Sequence, residues 1–408
     1  MTKCKELPLD DIVTMIDYRG KTPKKSTSGI PLITAKIIKN GRIYTPTEFI
    51  SEDEYVERMT RGFPQIGDIL ITTEAPLGEV AELRDAHVAM GQRIITMHAN
   101  KNLICGKYLK YYLLSHEGQS KLRQRESGTT VTGIKQAELR KVLIPLPPLY
   151  VQQRISRILD TLDDKIELNE KINQNLEAQA QAIFKSWFVD FEPFGGKMPK
   201  DWAKINLSDI ADFVGGYSYK SNELQHSSDA MATIKNFDRN GGFKLDGFKE
   251  IIPSSKLKDI QKVDLFDTLV AHTDLTQNAD VIGNAEMLLS KARYLNIIIS
   301  MDVVKVIPKN GLSKFLLAAL LKDARFKKHC LCYVNGTTVL HLSKKALPEY
   351  IFAFPNNVEN VCDITNLLEG IYRKMARNIE ENTRLSELRD TLLPKLMSGE
   401  IDVSDVAV

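Results

Sequence analysis

The sequence predicts two mixed α/β domains in tandem, each followed by a long helix, with the two helices pairing antiparallel as a coiled coil. Three observations lead to this fold class: an internal repeat, two stretches with coiled-coil spacing, and runs of strand and helix character that recur in the same order in each half. With 408 residues and 43% hydrophobic content, the chain has enough material for two to four packed domains.

The internal repeat is clearest in a four-residue motif, Gly128-Thr129-Thr130-Val131, which recurs as Gly336-Thr337-Thr338-Val339. The shift between matching segments drifts along the chain, so that Asn40-Gly41 matches Asn240-Gly241 at a slightly smaller spacing. Such drift is expected if loops changed length while the elements stayed. Internal two-fold similarity suits a target with two parts, and we expect each copy of the motif to lie where its domain passes the chain to its helix.

The repeat divides the chain into a first module at 1–147, a helix at 148–194, a second module at 195–355, and a second helix with a tail at 356–408. Each module opens with a polar, turn-rich segment and continues with strands and one helix. Strands are predicted at Ile30–Ile37, Asp68–Thr72, Glu79–Leu83, Gln92–His98, Met231–Phe237, Asp267–Ala271 and Asn296–Val306, and helices near Lys107–Arg125 and Leu312–His329.

Two stretches place apolar residues at alternating steps of four and three, which is the spacing of a coiled coil. The first seam runs from Ile155 to Trp187 and the second from Ile364 to Leu396. Prolines on both sides of the first stretch and Gly399 after the second mark the helix limits. About 35 residues, at roughly 1.5 Å per residue, predict a rod of about 50 Å.

Four asparagines interrupt the middle of the two seams: Asn169, Asn173, Asn378 and Asn382. A polar seam residue lowers stability but fixes the register, because an amide that faces leucine finds no partner. Antiparallel packing sets Asn169 against Asn382 and Asn173 against Asn378. Parallel packing also matches like with like, and we favour the antiparallel pair because it leaves one module at each end of the rod. The alternative to a coiled coil is that each stretch is an ordinary amphipathic helix packed against a core.

Charge is distributed unevenly along the chain. Each module carries 22 Lys or Arg and 17 Asp or Glu residues, a net charge of +5, whereas the two helical segments together carry −7. This distribution fits modules that contact a polyanion and helices that face other partners, although a chance distribution is the simpler alternative.

A module that reads a nucleic-acid duplex needs Arg, Lys, Asn or Gln side chains on rigid loops and strands, because base edges are distinguished by paired donors and acceptors. Each candidate taken alone is ordinarily a solvated surface residue, so the prediction rests on their concentration at matching places. The candidates are Arg19, Lys21, Lys24, Lys25, Lys36, Lys39, Arg42, Gln92 and Arg93 in the first module, and Tyr219, Lys220, Lys235, Asn236, Arg239 and Asn240 in the second.

Motifs of catalysis are incomplete in this sequence. Gly20-Lys21-Thr22 resembles the end of a phosphate-binding loop, but the first glycine of that motif would have to stand at Met15. In the segment that resembles an amino-methyltransferase motif, Leu146 stands where the motif requires a polar Asn or Asp. His329, Cys330 and Cys332 lack the spacing of a zinc site. We therefore expect no catalytic residue, metal or cofactor in this chain. Five scattered cysteines and the lack of a long apolar run predict a cytoplasmic protein without a membrane span.

Three segments closely resemble the specificity subunits of type I restriction-modification systems. The segment from Ile144 through Gln153, with the helix that ends at Phe191, is similar to their central region; the segment from Leu388 to Ile401 is similar to their C-terminal repeat. Thr73–Val80 resembles a recurrent segment of their target recognition domains, which the second module replaces with Asn278–Ala285.

This resemblance implies two target recognition domains, each reading half of a bipartite site in double-stranded DNA, with the helices setting the gap. It also implies partners: two modification subunits that use S-adenosylmethionine to methylate adenine, and restriction subunits that use ATP and Mg for translocation and cleavage. The helices would dock the modification subunits, and this chain would be non-catalytic. The competing class is an adaptor whose two modules bind proteins across a coiled-coil spacer, and an enzyme is a third option.

Overall fold

The computed structural model describes residues 5–20, 22–128 and 132–404. The candidate Lys21 and residues 129–131 of the first repeat copy therefore lie outside the described residues. The chain forms two compact units, one of Met1–Lys165 with Leu385–Val408 and the other of Ile166–Arg384. Each unit contains one mixed α/β domain together with part of each long helix.

The first unit begins with a domain of short strands and five helices. The strands are β1 (Lys5–Pro8), β2 (Val13–Asp17), β3 (Lys25–Ser26), β4 (Ile30–Ile33), β5 (Ile38–Lys39), β6 (Arg42–Ile43), β7 (Phe49–Ile50), β8 (Ile69–Thr73), β9 (Leu77–Glu82), β10 (Ala89–Met90), β11 (Ile94–Ala99) and β12 (Leu143–Leu146). The helices are α1 (Leu9–Ile12), α2 (Glu52–Arg58), α3 (Gly106–Leu114), α4 (His116–Arg123) and α5 (Gln136–Leu139), and the first long helix, α6, spans Leu149–Phe188.

Two four-stranded sheets organise this domain, with strand orders β2-β11-β8-β9 and β10-β4-β7-β3. The first is antiparallel throughout, and its inward residues pack against α3, where Tyr108, Tyr111 and Tyr112 are almost fully buried. β1 pairs with β12, so the two ends of the domain meet just before α6 begins. β5 and β6 form a separate hairpin.

The second unit repeats this plan. Its strands are β13 (Trp202–Asn206), β14 (Ala211–Gly215), β15 (Asp229–Ala232), β16 (Lys249–Glu250), β17 (Lys262–Val263), β18 (Thr268–Ala271), β19 (Thr273–Asp274), β20 (Ala285–Met287), β21 (Asn296–Ile299), β22 (Val303–Pro308), β23 (Val334–Asn335), β24 (Leu340–Leu342) and β25 (Ile351–Pro355). Its helices are α7 (Leu207–Ile210), α8 (Lys314–Lys322) and α9 (Ala324–Leu331), and the second long helix, α10, spans Cys362–Ser398.

The sheets of the second unit match those of the first. The order β14-β22-β18-β20 corresponds to β2-β11-β8-β9, and the β13–β25 pair corresponds to β1–β12. A second four-stranded sheet has the order β16-β15-β21-β17, and β19, β24 and β23 form a three-stranded sheet. The duplication predicted from the sequence therefore extends to strand pairing.

The predicted elements exist, but several are broken where the sequence suggested continuity. The strands at Ile30–Ile37 and Met231–Phe237 end early and turn into 3-10 helices at Ala35–Ile37 and Ile234–Asn236. The run Asn296–Val306 is two strands.

Each predicted module helix is also broken in two. The backbone of Ser115 is extended, and its hydroxyl accepts the Gly118 N–H, so it ends α3 and caps α4. Asp323 does the same between α8 and α9 by accepting the Arg325 N–H. Cap side chains of this kind satisfy the free amides at a helix start, which periodicity alone does not reveal.

The long helices are longer than predicted, with 40 residues in α6 and 37 in α10. Within the second unit, Asn169 Nδ2 donates to Asn382 Oδ1 at 2.8 Å, and Asn378 Nδ2 donates to Asn173 Oδ1 at 2.8 Å. Within the first unit, the start of α6 shares a core with the end of α10, including Leu159. Each unit thus pairs the helices antiparallel, and the predicted fold class is confirmed.

The asparagine layer is held by more than the two amide pairs. Asn169 also donates to Glu381 at 2.9 Å, and Asn173 and Asn382 donate to the carbonyls of Met375 and Ile166, each at 3.2 Å. Asn169 and Asn378 are each 1% exposed. A buried amide that loses its partner costs free energy, so shifting the helices past one another would be unfavourable.

Replacing Asn378 with leucine should lower the free energy of unfolding by about 1–3 kcal/mol, because the amide of Asn173 is left without its donor. The double variant with Asn173→Leu and Asn378→Leu should recover most of that loss, since two apolar residues then face each other. Urea titration of both variants measures the difference. Asn175→Leu, at an exposed position of α6, is the matched control and should change little; equal losses in the single and double variants would contradict the pairing.

Candidate nucleic-acid interface

Each domain presents a hairpin that carries an Asn-Gly pair and is preceded by a 3-10 turn. In the first unit, β5 and β6 flank Asn40 and Gly41, which both have positive φ angles, +52° and +82°. Asn-Gly is the favoured sequence for such a tight turn because both residues accept left-handed backbone conformations. In the second unit, a bridge between Phe237 and Phe243 closes the equivalent hairpin.

The two hairpins, together with the 3-10 turns before them, carry seven of the predicted candidates. Lys36, Lys39 and Lys235 are exposed and pair with no carboxylate in the described part of the chain. Asn240 is exposed, and Arg239 lies 3.7 Å from Asp280 with 66% of its side chain exposed. Arg42 is partly buried and donates to the Asp163 carbonyl of α6 at 3.3 Å. The exposed members are available for an anionic partner.

Asn236 does not fit the predicted role at this surface. It is fully buried, its Oδ1 accepts the Thr233 N–H at 2.8 Å, and its Nδ2 donates to the Lys244 carbonyl at 2.7 Å. Its amide is therefore used inside the protein, where it holds the base of the second hairpin. We leave Asn236 out of the interface, because a base edge or phosphate would have no access to it.

The opening loops hold candidates that are already engaged with neighbours. Arg19 donates to both carboxylate oxygens of Asp17 at 2.5–2.9 Å. Burial raises the pKa of Asp17, but the hydrogen bonds and charge of Arg19 outweigh it, and the pKa lies below its ordinary value. Lys25 pairs with Glu48 at 2.9 Å. A phosphate would have to compete with these carboxylates.

The remaining candidates are scattered around the same loops. Lys24 is exposed, Gln92 donates to the Thr22 hydroxyl at 2.9 Å, and Arg93 lies 3.0 Å from Glu74. In the second unit, Lys249 lies over the Tyr219 ring at 5.5 Å from its centroid, and Lys220 is exposed.

In the second unit, the hairpin shares a groove with the loop at residues 274–281, which overlaps the Asn278–Ala285 segment and begins four residues before it. The groove has a volume of about 400 Å³ and is lined by Lys235, Arg239, Lys244, Leu275 and Thr276, among others. The loop, residues 274–281, is fixed by the buried carboxylate of Asp274, which accepts the N–H groups of residues 276 and 281 at 2.8 and 2.7 Å. Burial raises the pKa of Asp274, but these hydrogen bonds outweigh it and hold the pKa below its ordinary value.

The repeated motif borders this loop. Gly336–Val339 forms the exposed tip between β23 and β24, and Gln277 Nε2 donates to the Thr337 carbonyl at 2.7 Å. In the first unit, Ser127 and Gly133 flank the first copy and form a β-bridge with each other. Gly133 forms a second β-bridge with Glu74, at the equivalent loop. The predicted position at the junction with the helix is wrong for the second copy, because β25 lies between the motif and α10.

A buried ion cluster joins the second domain to α6. Lys322 of α8 lies 2.7 Å from Glu286 of β20 and 3.1 Å from Glu177 of α6, and its side chain is 14% exposed. Burial lowers the pKa of Lys322, but the two carboxylates outweigh burial and raise it above its ordinary value. The cluster borders a cavity of about 510 Å³ that is also lined by Gly242 and Tyr372.

Comparison with known proteins identifies the family of this chain. Residues 1–178 match the family model described as the type I restriction modification DNA specificity domain. The MjaIX specificity subunit of Methanocaldococcus jannaschii is 28% identical over 394 residues, covering 92% of this chain and 88% of that protein. The HindI specificity subunit of Haemophilus influenzae is 27% identical, with coverage of 76% and 80%. The chain belongs to the specificity subunits of type I restriction-modification systems.

The fold of this specificity subunit agrees with the assignment. The type I S subunit from M. genitalium superposes with a TM-score of 0.57 at 15% identity, covering 97% of both chains. The predicted function class, the non-catalytic DNA specificity subunit of a type I restriction-modification enzyme, is confirmed.

Across residues 5–20, 22–128 and 132–404, no cluster of three or more His, Cys, Asp and Glu side chains is arranged to hold a metal ion. Within the same residues, no helix has both the length and the apolar content needed to cross a membrane.

Removing the central cation of the ion cluster should destabilise the protein. Lys322→Met leaves two carboxylates facing each other in a nearly buried place, and breaking such a cluster lowers the free energy of unfolding by about 3–5 kcal/mol. Lys314→Met, at the start of the same helix, removes an exposed lysine that pairs with Asp267 and should cost below about 1 kcal/mol. Thermal and urea unfolding compare the two, and a similar small loss in both would show that the cluster is not stabilising.

Proposed function

We propose that the two domains of this specificity subunit read the two halves of a bipartite site in double-stranded DNA. The observation that carries the proposal is the recurrence, in both domains, of an Asn-Gly hairpin with exposed cations. A two-part target is the natural complement of a chain whose two domains repeat the same surface.

The exposed side chains divide into two roles by their chemistry. Lys36, Lys39 and Lys235 are flexible point charges suited to phosphates, which fix the position of the protein on the duplex without reading sequence. Arg239 and Asn240 carry paired donors or acceptors that can distinguish base edges. The Thr337 and Thr338 hydroxyls, at the exposed tip between β23 and β24, add donors and acceptors next to the groove.

The helices would set the spacing between the half-sites and dock the modification subunits. We expect two such subunits, each bringing S-adenosylmethionine for adenine methylation, and restriction subunits that use ATP and Mg for translocation and cleavage. All of this chemistry would belong to the partners. Because the complex acts on cellular DNA, we expect it to work in the cytoplasm.

Duplex affinity should fall steeply with salt concentration, because binding releases counterions from the phosphates. Lys235→Ala should weaken binding to all duplexes alike and reduce the slope of log affinity against log salt by about 1. Lys314→Ala is the control and should leave the slope unchanged. A complex with its modification subunits that binds no duplex would overturn the DNA proposal and favour a protein-binding adaptor.

Inserting seven residues into each long helix, after Lys165 in α6 and after Leu385 in α10, should lengthen the unread gap while both half-sites stay the same. Seven residues add about 10 Å of helix, or roughly three base pairs at 3.4 Å each. Mapping methylated adenines in a genome that expresses the variant complex shows the gap and both half-sites together. Altered half-sites would contradict the separation of reading and spacing.

A further inference from the structure

A glutamate holds the Asn-Gly hairpin in each domain. In the first unit, Glu79 Oε2 accepts the backbone N–H of Asn40 at 2.9 Å. In the second unit, Glu286 Oε1 accepts the backbone N–H of Gly242 at 2.6 Å. β9 and β20, which supply the two carboxylates, are equivalent edge strands of the equivalent sheets.

The two glutamates occupy different positions of the repeat. Leu70 and Leu269 match in the two sheets, and strand pairing sets them opposite Ala81 and Glu286. Glu286 therefore corresponds to Ala81, two residues beyond Glu79 on the same face of the strand. The position of Glu79 is taken by Asn284, whose Nδ2 donates to the Asp238 carbonyl of the same hairpin at 3.0 Å. Each domain thus has a glutamate bond to its hairpin, although the glutamate and the backbone N–H that it accepts both stand at different positions of the repeat.

Backbone bonds inside the second hairpin join Asp238 to Gly241 and Gly242. Its glycines Gly241 and Gly242 have no atom within 4 Å of where a side chain would begin, and the hairpin borders the cavity of about 510 Å³. Glu286 itself is 6% exposed, and its other oxygen accepts from Lys322 at 2.7 Å. A hydrogen bond to an ionised carboxylate away from water is stronger than a neutral one, so the Glu286 bond adds a strong contact at the turn to the bonds inside the hairpin.

The hairpin contacts continue to α6 inside each unit. Lys322 links Glu286 to Glu177 of α6, and Arg42 of the first hairpin donates to the Asp163 carbonyl of α6. The first hairpin is therefore held by Glu79 and by Arg42, whereas the second is held by Glu286, whose own carboxylate is linked to α6 through Lys322.

We propose that Glu79 and Glu286 are positioning residues for half-site recognition, a role that rests on the proposed DNA function. Reading a base edge requires donors and acceptors held within about 0.5 Å of their productive geometry. Attraction to phosphates tolerates much larger displacements. Loss of either glutamate should therefore reduce discrimination between sequences more than it reduces the electrostatic part of binding.

The test uses the full chain assembled with its modification subunits. Glu286→Ala should relax the half-site read by the second domain alone, lowering by about tenfold the preference for the cognate duplex over one altered in that half. Glu79→Ala should relax only the other half-site, so each variant controls for the other. The slope of log affinity against log salt should stay the same in both, because no phosphate contact is removed.

Two conservative variants separate positioning from folding. Glu286→Gln keeps an oxygen that can accept the Gly242 N–H and should restore most of the discrimination. Glu286→Asp keeps the charge for Lys322 but withdraws the carboxylate from the hairpin, so it should relax the half-site even if the alanine variant fails to fold. Glu177→Ala removes the helix partner of Lys322 while leaving the Gly242 bond, so it should reduce discrimination much less than Glu286→Ala does.

Several results would overturn the proposal. Glu286→Ala could relax both half-sites equally, or Glu177→Ala could relax the second half-site as much as Glu286→Ala does. Either result would mean that Glu286 acts through general stability. If the wild-type complex selects two half-sites and the variants select them equally well, the positioning role of the glutamates is excluded. The proposed DNA function would then still stand. A wild-type complex that selects no half-site would remove the proposed DNA function and this role with it.

Discussion

The antiparallel seam between α6 and α10 is the constraint on which the rest of the structure depends. Each compact unit contains residues from both helices, and the first unit includes the end of α10 from Leu385 onward. The amides of Asn169, Asn173, Asn378 and Asn382 admit one register, because each is buried or half-buried against a partner from the other helix. A polar layer of this kind lowers the stability of the seam in exchange for a unique alignment.

Contacts with the helices also reach the candidate interface within each unit. Arg42 meets the Asp163 carbonyl in the first, and the Lys322 cluster joins Glu286 to Glu177 in the second. Since loops that bind are commonly mobile, a hairpin tied to a long helix is better suited to reading sequence than an untethered one. The exposed lysines need no such support, because charge attraction acts over several ångströms.

The sequence predicted the fold class, the duplication and the asparagine pairing because these depend on periodicity and on matching segments. The sequence was less successful in predicting where helices and strands are interrupted. Ser115 and Asp323 break two helices through local caps, and the early ends of two strands follow from 3-10 turns that no apolar pattern marks. Among the candidates, Asn236 had the right chemistry for a base reader, but burial directs its amide inward. The sequence marked Asn278–Ala285 only as a departure from the family segment, because the groove beside this loop depends on the burial of Asp274, which the sequence does not reveal.

Two similar domains and two long helices can be inferred from the order of residues, since heptad spacing and repeated motifs are properties of the chain. Which polar groups are free to face a partner, and which are used internally, follows from how the folded chain packs. Glu79 and Glu286 show the reason: each accepts a backbone N–H of its own hairpin, yet the two glutamates stand at positions that do not align, because hydrogen bonding depends on where atoms lie in space.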